Sequence, residues 1–440
     1  MSTPLELLTA QRPNMDACIR CGLCLSVCPT YQTTIMEEES PRGRIAMARA
    51  VAAGVVPLDA EIVRHQESCL LCEACTAICP AGFRMEEMGI AVRRAVRESG
   101  KVGRMRRMAL RFAFRGPLAH MWLLRLLSRG LWLYQRSGSQ WLARRSGLLR
   151  LLRLARVERL TPRMPARFFV AKGQSWPPST PAADDAPRVG LFAGCVMSTA
   201  FAETDEATAR VLAANGCEVV APAGQGCCGA LQAHSGAWHE ARERARRVID
   251  SFQQPFDAIV VNAAGCGSAM KGYGHLLADD PDYAEKAARF SERVRDVAEF
   301  LVSRPLNGNL GPLDATVTYQ EPCHLAYAQR IRNAPRELLT AIPGLTLAEM
   351  KESALCCGSA GIYNVTQGAM AESLLDRKLE NALATNASII VTGNPGCHIQ
   401  LAAGIHDRGS NVRIAHVVDL LDEAYRRAED SSSHAEPTID

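Results

Sequence analysis

The chain has 440 residues, 48% of them hydrophobic, which is the composition of an ordinary globular protein with room for two to four domains. Its seventeen cysteines are many for this length and odd in number, and "MSTPLELLTAQRPNMDAC" carries no basic and apolar leader, so metal or redox chemistry is expected rather than a secreted disulfide framework. A net charge of +4 conceals an asymmetry: residues 101–167 hold 17 Lys and Arg against the single acid Glu158, a local +16 on a chain that is otherwise −12.

Residues 1–100 contain eight of the cysteines. "CIRCGLCLSVCP" and "CLLCEACTAICP" both follow C-x2-C-x2-C-x3-C-P, the spacing of two-cluster ferredoxins, in which the fourth cysteine of each run ligates the other cluster. This assigns one [4Fe-4S] cluster to Cys18, Cys21, Cys24 and Cys79, and a second to Cys69, Cys72, Cys75 and Cys28. Structural zinc is the alternative, but it usually takes two separated C-x2-C pairs. The long connection between the motifs contains the helix-like "RGRIAMARAVAAG", which suggests a helical module of the succinate dehydrogenase type. Arg42 and Arg44 lie near it, either tuning an anionic cluster or simply solvating a helix start.

Residues 101–172 lack cysteine and interleave Arg with Leu, Trp and Phe. Trp122, Leu123, Leu126 and Leu127 fall at helical spacing with Arg125 and Arg129 between them. Such a basic amphipathic pattern suits peripheral membrane contact through residues 104–160, an acidic partner, or a bridge to the chain's own acidic domains. Nucleic acid is not expected, because no nucleic-acid module accompanies the basic run. The longest uncharged run, "ALATNASIIVTGNPGCHIQLAAGIH", contains Asn, Pro, Gly and His and reads as strand, loop and helix start rather than as a membrane span.

A Pro-rich linker, 173–187, leads to an internal repeat, residues 188–310 and 311–430, with a disordered tail expected at 431–440. Cys195, Cys227, Cys228 and Cys266 recur as Cys323, Cys356, Cys357 and Cys397 at offsets of 128, 129, 129 and 131. "RVGLFAGC", "CEVVAP" and "DAIVVNAAGC" read as strands in the first repeat, and "ATVTYQEPCH", "LTLAEM" and "ASIIVTGNPGC" in the second. Helices are expected at 203–214, 336–341 and 367–384, giving small parallel or mixed α/β units with cysteines at strand ends. Adjacent thiols are poorly placed for an ordinary disulfide, so the eight cysteines point to a further metal centre or to redox thiols. Gly229 and Gly358 are expected at positive φ beside them, and Gly265 and Gly396 to meet the same need. His234, His324 and His398 lie near these loops as ligands, proton relays or structural histidines, and Cys217 reads as a buried small hydrophobe.

Two ferredoxin motifs followed by two Cys-Cys-Gly units, with the phrases "CPTYQ", "SPRGRI", "YQEPCHLAYAQ", "LCCGSAGIYN" and "TGNPGC", resemble the iron–sulfur subunits of bacterial glycolate oxidase. The resemblance implies an α+β multidomain chain: a helical two-cluster ferredoxin module, a helical basic segment and two repeated α/β Cys-Cys-Gly domains. It also implies FAD-containing dehydrogenase partner subunits and a quinone-type acceptor; a cytoplasmic location is expected, with peripheral contact at the cytoplasmic face of the inner membrane as an option, and no flavin or NAD is expected on this chain, because it carries no dinucleotide-binding fingerprint. Lactate and anaerobic glycerol-3-phosphate dehydrogenases share this architecture, and a heterodisulfide-reductase-like enzyme acting at the Cys-Cys-Gly centre is the rival reading. Ala263 and Asn394 stand where the fullest Cys-Cys-Gly pattern has a further thiol, which weighs against a five-cysteine cluster in either repeat.

Overall fold

The computed structural model describes residues 3–152, 154–179, 186–306 and 310–433. Most of the expected tail, residues 434–440, and residues 180–185 of the expected linker lie outside the described residues.

The N-terminal module is helical. Pro4–Ala10, Pro41–Ala52 and Met85–Glu98 are its principal helices, and they close over a core of Leu8, Met15, Ile45, Ala48, Met88 and Val92. Ser40 caps the second of these, its Oγ accepting from Gly43 N at 2.9 Å, with Pro41 at the first helical position where its missing N–H costs nothing. Gly89 leaves room on the third helix for Leu71, whose Cδ2 would lie 2.4 Å from any Cβ placed there. The second cysteine motif is thereby seated directly on that helix.

The basic segment is a chain of short helices, Arg104–Arg115, Met121–Arg136, Ser139–Arg145, Leu148–Leu151 and Ala155–Arg159. It lies against the rest of the chain through Arg106–Glu67, Arg115–Glu240, and Arg156 and Arg159 to Glu372. The bridging role considered for these arginines is therefore real for some of them.

Two sheets follow. The first contains β1 (Gln174–Trp176), β2 (Arg188–Phe192), β3 (Glu218–Ala221), β4 (Ala258–Val261) and β5 (Val294–Asp296) in the order β1-β3-β2-β4-β5. The second contains β6 (Ala315–Tyr319), β7 (Leu345–Leu347), β8 (Ile389–Val391) and β9 (Arg413–Ala415) in the order β7-β6-β8-β9. All pairings are parallel except β1 with β3, so β3-β2-β4-β5 and β7-β6-β8-β9 are the same unit twice. The expected strands and helices are present, as Ala202–Ala214, Ala334–Thr340 and Gly368–Leu383 for the helices. The sequence pattern does not reveal β5, β9 or β1. All three are edge strands of three residues, too short for periodicity to show. Within the stretch read as linker, β1 forms because Trp176 stacks on Phe169 at 6.1 Å and β3 offers an unpaired edge.

The two repeats share one continuous core, from Val189 and Val219 to Val317 and Leu421. Helices Ala202–Ala214 and Val417–Ser433 meet across it, and Arg210 binds Asp422 bidentately at 2.7 and 2.9 Å. Asn394 Oδ1 accepts from Gly265 N at 3.1 Å, tying the last cysteine loop of one repeat to that of the other.

Candidate metal centres

Both ferredoxin motifs form loops with left-handed residues at equivalent places. Arg20 and Gly22 have φ of 58° and 86°, and Leu71 and Glu73 have 52° and 64°. Alternating handedness turns successive backbone N–H groups inward, the arrangement that cradles an anion. Three of these four residues are not glycine, and each such backbone costs about 1–3 kcal/mol, so the surroundings must impose it. Nothing in local sequence signals this at Leu71 or Glu73.

The structure brings Cys28 of the first motif to the second motif. One cavity is lined by Cys28, Cys69, Cys72 and Cys75, with Pro29, Thr30, Pro41, Arg44, Leu70 and Met85 among its walls. Burial pushes the Cys72 and Cys75 thiols well up, and neighbouring cysteines add to this, Cys323 first for Cys72 and Cys72 first for Cys75. Such thiols ionise readily only with a cation among them, so a metal cluster fits this cavity. Cys18, Cys24 and Cys79 pack on the outside of the module core, while Cys21 is exposed beside exposed Ile19 and Leu23. Burial pushes Cys24 up to about 11, opposed by a hydrogen bond from the Arg42 backbone.

The two arginines divide the readings offered for them. Arg42 is a surface residue whose Nε lies 2.7 Å from Glu37 Oε1. Arg44 is only 1% exposed and sits inside the module, donating to Thr30 Oγ1 (3.1 Å), His65 O (2.9 Å), Ser68 Oγ (2.7 Å) and Glu39. Thr30 Oγ1 in turn is 3.3 Å from Cys28 Sγ, so this network reaches the cavity.

In each repeat four thiols converge for a topological reason. Cys195 follows β2, the Cys227–Cys228 pair follows β3, and Cys266 lies in the helix after β4; Cys323, Cys356–Cys357 and Cys397 follow β6, β7 and β8 in the same way. These are the carboxyl ends of three adjacent parallel strands, where crossover connections leave a crevice. The thiols adjoin one another in series, Cys195–Cys227–Cys228–Cys266 and Cys323–Cys356–Cys357–Cys397. Hydrogen bonds from Cys195 and Cys228 hold Cys227 low, and those from Cys356 and Cys397 do the same for Cys357. Each set of four soft donors fits a thiolate-bound centre.

Gly229 and Gly358 have φ of 86° and 83° as expected, and both press onto a helix: a Cβ on Gly358 would lie 2.5 Å from Ala371 O. Gly265 and Gly396 do not share that need, because both begin helices with negative φ. Gly396 is instead required by close approach, since a Cβ there would lie 2.9 Å from Ser359 Oγ. Asn394, in the place of a further thiol, donates to Cys397 Sγ at 3.4 Å. Cys217 is fully buried in the shared core, away from either set.

The second repeat's thiols adjoin the ferredoxin module. Leu70, Cys72 and Ala74 pack in one buried cluster with Cys323, Cys356 and Tyr363, and Tyr363 OH donates to Ser68 O at 2.8 Å. Of the three histidines, His398 packs on Phe201 at 4.8 Å and burial lowers it to about 4, a structural role. His234 and His324 come together with Glu86, a residue that nothing in the motif spacing marks.

The family model for a 4Fe-4S dicluster domain matches residues 14–83, that for a cysteine-rich domain matches 189–271 and 317–402, and that for the glycolate oxidase iron–sulfur subunit linker region matches 105–161. The chain is 38% identical to the probable glycolate oxidase iron–sulfur subunit of Bacillus subtilis, over 92% of this chain and 93% of that one. It is 31% identical to the Escherichia coli glycolate oxidase iron–sulfur subunit over 94% and 95%. The chain belongs to the glycolate oxidase iron–sulfur subunit family. One subunit of the fumarate reductase (CoM/CoB) of Methanothermobacter marburgensis is 33% identical over 54% of this chain and 46% of that one. The dicluster and cysteine-rich matches mark an iron–sulfur protein with an α+β, multidomain fold. Among the described residues no helix is long and apolar enough to cross a membrane.

Proposed function

We propose that the chain is the electron-carrying subunit of a flavoprotein 2-hydroxy-acid (glycolate) dehydrogenase complex that delivers electrons to a quinone-type acceptor. The observation that carries this reading is the shared apolar wall between Cys72 of the ferredoxin module and Cys323 and Cys356 of the second repeat. Two thiol-rich centres in contact across an apolar wall suit electron transfer.

In this reading Cys18, Cys21, Cys24 and Cys79 hold one [4Fe-4S] cluster, and Cys69, Cys72, Cys75 and Cys28 the other. Cys195, Cys227, Cys228 and Cys266, and their counterparts in the second repeat, hold a further iron–sulfur centre or serve as redox thiols, and the iron count below separates the two. Bound clusters supply one-electron redox chemistry. Arg44, buried near Cys28 and Cys69, offsets the negative charge that thiolates bring. Tyr363 and Leu70 keep water from the wall. The exposed Cys21 loop is the face open to a flavoprotein partner. Trp122, Leu126, Leu133, Trp141 and Leu151 are 58–81% exposed on the arginine-rich segment, and this surface is read as the contact with anionic lipid, at about 1 kcal/mol per Arg near the surface.

The test is anaerobic purification with co-expressed flavoprotein subunits, iron counting, electron paramagnetic resonance and a dye-linked glycolate assay. About eight irons per chain supports two cubanes alone and twelve or more adds centres in the repeats; zinc without iron overturns the reading. For the lipid contact, the triple variant Trp122→Ser/Leu126→Ser/Leu133→Ser should no longer sediment with anionic vesicles, and unchanged sedimentation refutes that part.

A further inference from the structure

Apart from the thiol sets, a further group of metal-ligating side chains converges where the ferredoxin module meets both repeats. Glu86 comes from helix Met85–Glu98, His234 from the helix Ala230–His234 behind the first Cys-Cys-Gly pair, and His324 from the turn after β6. One ligand atom from each lies within 4.8 Å of the other two. Glu86 Oε1 is 3.0 Å from His234 Nε2, and the two imidazole rings are 5.2 Å apart.

Two further features point to a missing partner. His324 turns Nδ1 toward Cys323 Sγ at 3.6 Å, and its buried Nε2 has no hydrogen-bond partner. Glu73 is 6% exposed, lies beside the Glu86 backbone and His324, and its buried Oε1 is likewise unpartnered. An orphaned buried polar atom is costly, the more so when it carries charge.

We propose that Glu86, His234 and His324 bind a divalent transition-metal ion of the Zn2+ type, with Glu73 completing the set. Two imidazoles with carboxylate are the donors that such ions favour, whereas Ca2+ and Mg2+ take oxygen alone. With the ion bound, both imidazoles would coordinate as neutral rings and the two carboxylates would bring −2 against one dication. The neighbouring cation, Arg93, has its donors placed elsewhere: Nη1 on His234 O at 2.6 Å and Nη2 on Cys69 O. Tetrahedral ligands at about 2.0–2.1 Å from zinc stand about 3.3 Å apart. For Glu86, His234 and His324, closing from 4.8 Å to that separation takes side-chain movement of about 1.5 Å at most, whereas Glu73 lies outside that group and must swing further. The ion clasps three units of the chain at one point, each of which supplies a ligand. The proposal does not depend on the electron-transfer reading.

The test uses the full chain, purified anaerobically with its iron, supplemented with Zn2+ and then desalted. About one zinc per chain is expected in addition to the iron, and Glu86→Gln and His234→Ala should weaken its retention about tenfold or more. Neither residue belongs to a thiol set, so both variants should keep wild-type iron. Co2+ in place of Zn2+ should give ligand-field bands without thiolate-to-cobalt charge-transfer absorption, which separates this site from zinc captured by cysteines. The wild-type cobalt spectrum decides the matter even if a variant folds poorly. No retained zinc, equal retention by both variants, or a thiolate band on the bound cobalt would each overturn the proposal.

Discussion

Arg44→Met tests how the ferredoxin module is held together. The wild-type guanidinium is 1% exposed and meets Glu39, Thr30, His65 O and Ser68 at once. Its removal leaves Glu39, itself 7% exposed, with His65 and Ser68 as remaining partners. Breaking one side of a buried ion pair costs about 3–5 kcal/mol, because the other charge stays buried. In a domain of about 100 residues each kcal/mol moves the melting temperature by about 4–8 °C, so a fall of about 12–40 °C is expected. Thermal unfolding followed by circular dichroism and by cluster absorbance reads this, and iron should be released earlier, since Thr30 links the network to Cys28. The double variant Arg44→Met/Glu39→Leu should recover most of the loss, because it leaves no buried carboxylate. A single-variant loss below about 1 kcal/mol, or a double variant no better than the single, would refute the reasoning.

Gly358→Ala should cost about 1–3 kcal/mol for the left-handed backbone, plus displacement of the loop by Ala371 O, and should deplete iron in the second repeat. Gly229→Ala meets a softer contact, 3.0 Å to Ala241 O, and should be milder; iron counts showing the reverse order would contradict the packing argument. His416 bridges the repeats as a neutral ring, Nε2–H donating to Asn262 O at 2.9 Å while Nδ1 accepts from Val418 N at 3.2 Å. Burial holds its folded pKa below 6.5, so its contribution is present above that value and lost as pH falls through and below it. Urea midpoints should therefore decline on acidification more steeply in the wild type than in His416→Gln. Parallel pH profiles would dismiss this linkage.

The sequence by itself determined the inventory of chemistry. The C-x2-C-x2-C-x3-C-P spacing needs no tertiary information, because three thiols at intervals of three residues already fit one loop. The repeat was legible because duplicated cysteines keep their offset, and Gly229 and Gly358 because positive φ beside a bulky group demands glycine. Gly396 is demanded by close approach to Ser359, which in sequence looks like a demand of φ, while Gly265 has neither a positive φ nor a close contact and only its place before a cysteine suggested one. Only the tertiary structure decided which centres touch. Leu71 and Glu73 adopt left-handed backbones without any glycine to announce them, since the helix bearing Gly89 holds the loop in place. Arg44 was ambiguous because burial is a property of the packed core, and the stem of a helix-start arginine looks the same in or out of it. Glu73, Glu86, His234 and His324 lie on three separate units of the chain, and no local spacing brings them together. Their meeting follows from how the ferredoxin module seats on the two sheets, a long-range packing outcome that periodicity and motif spacing do not encode.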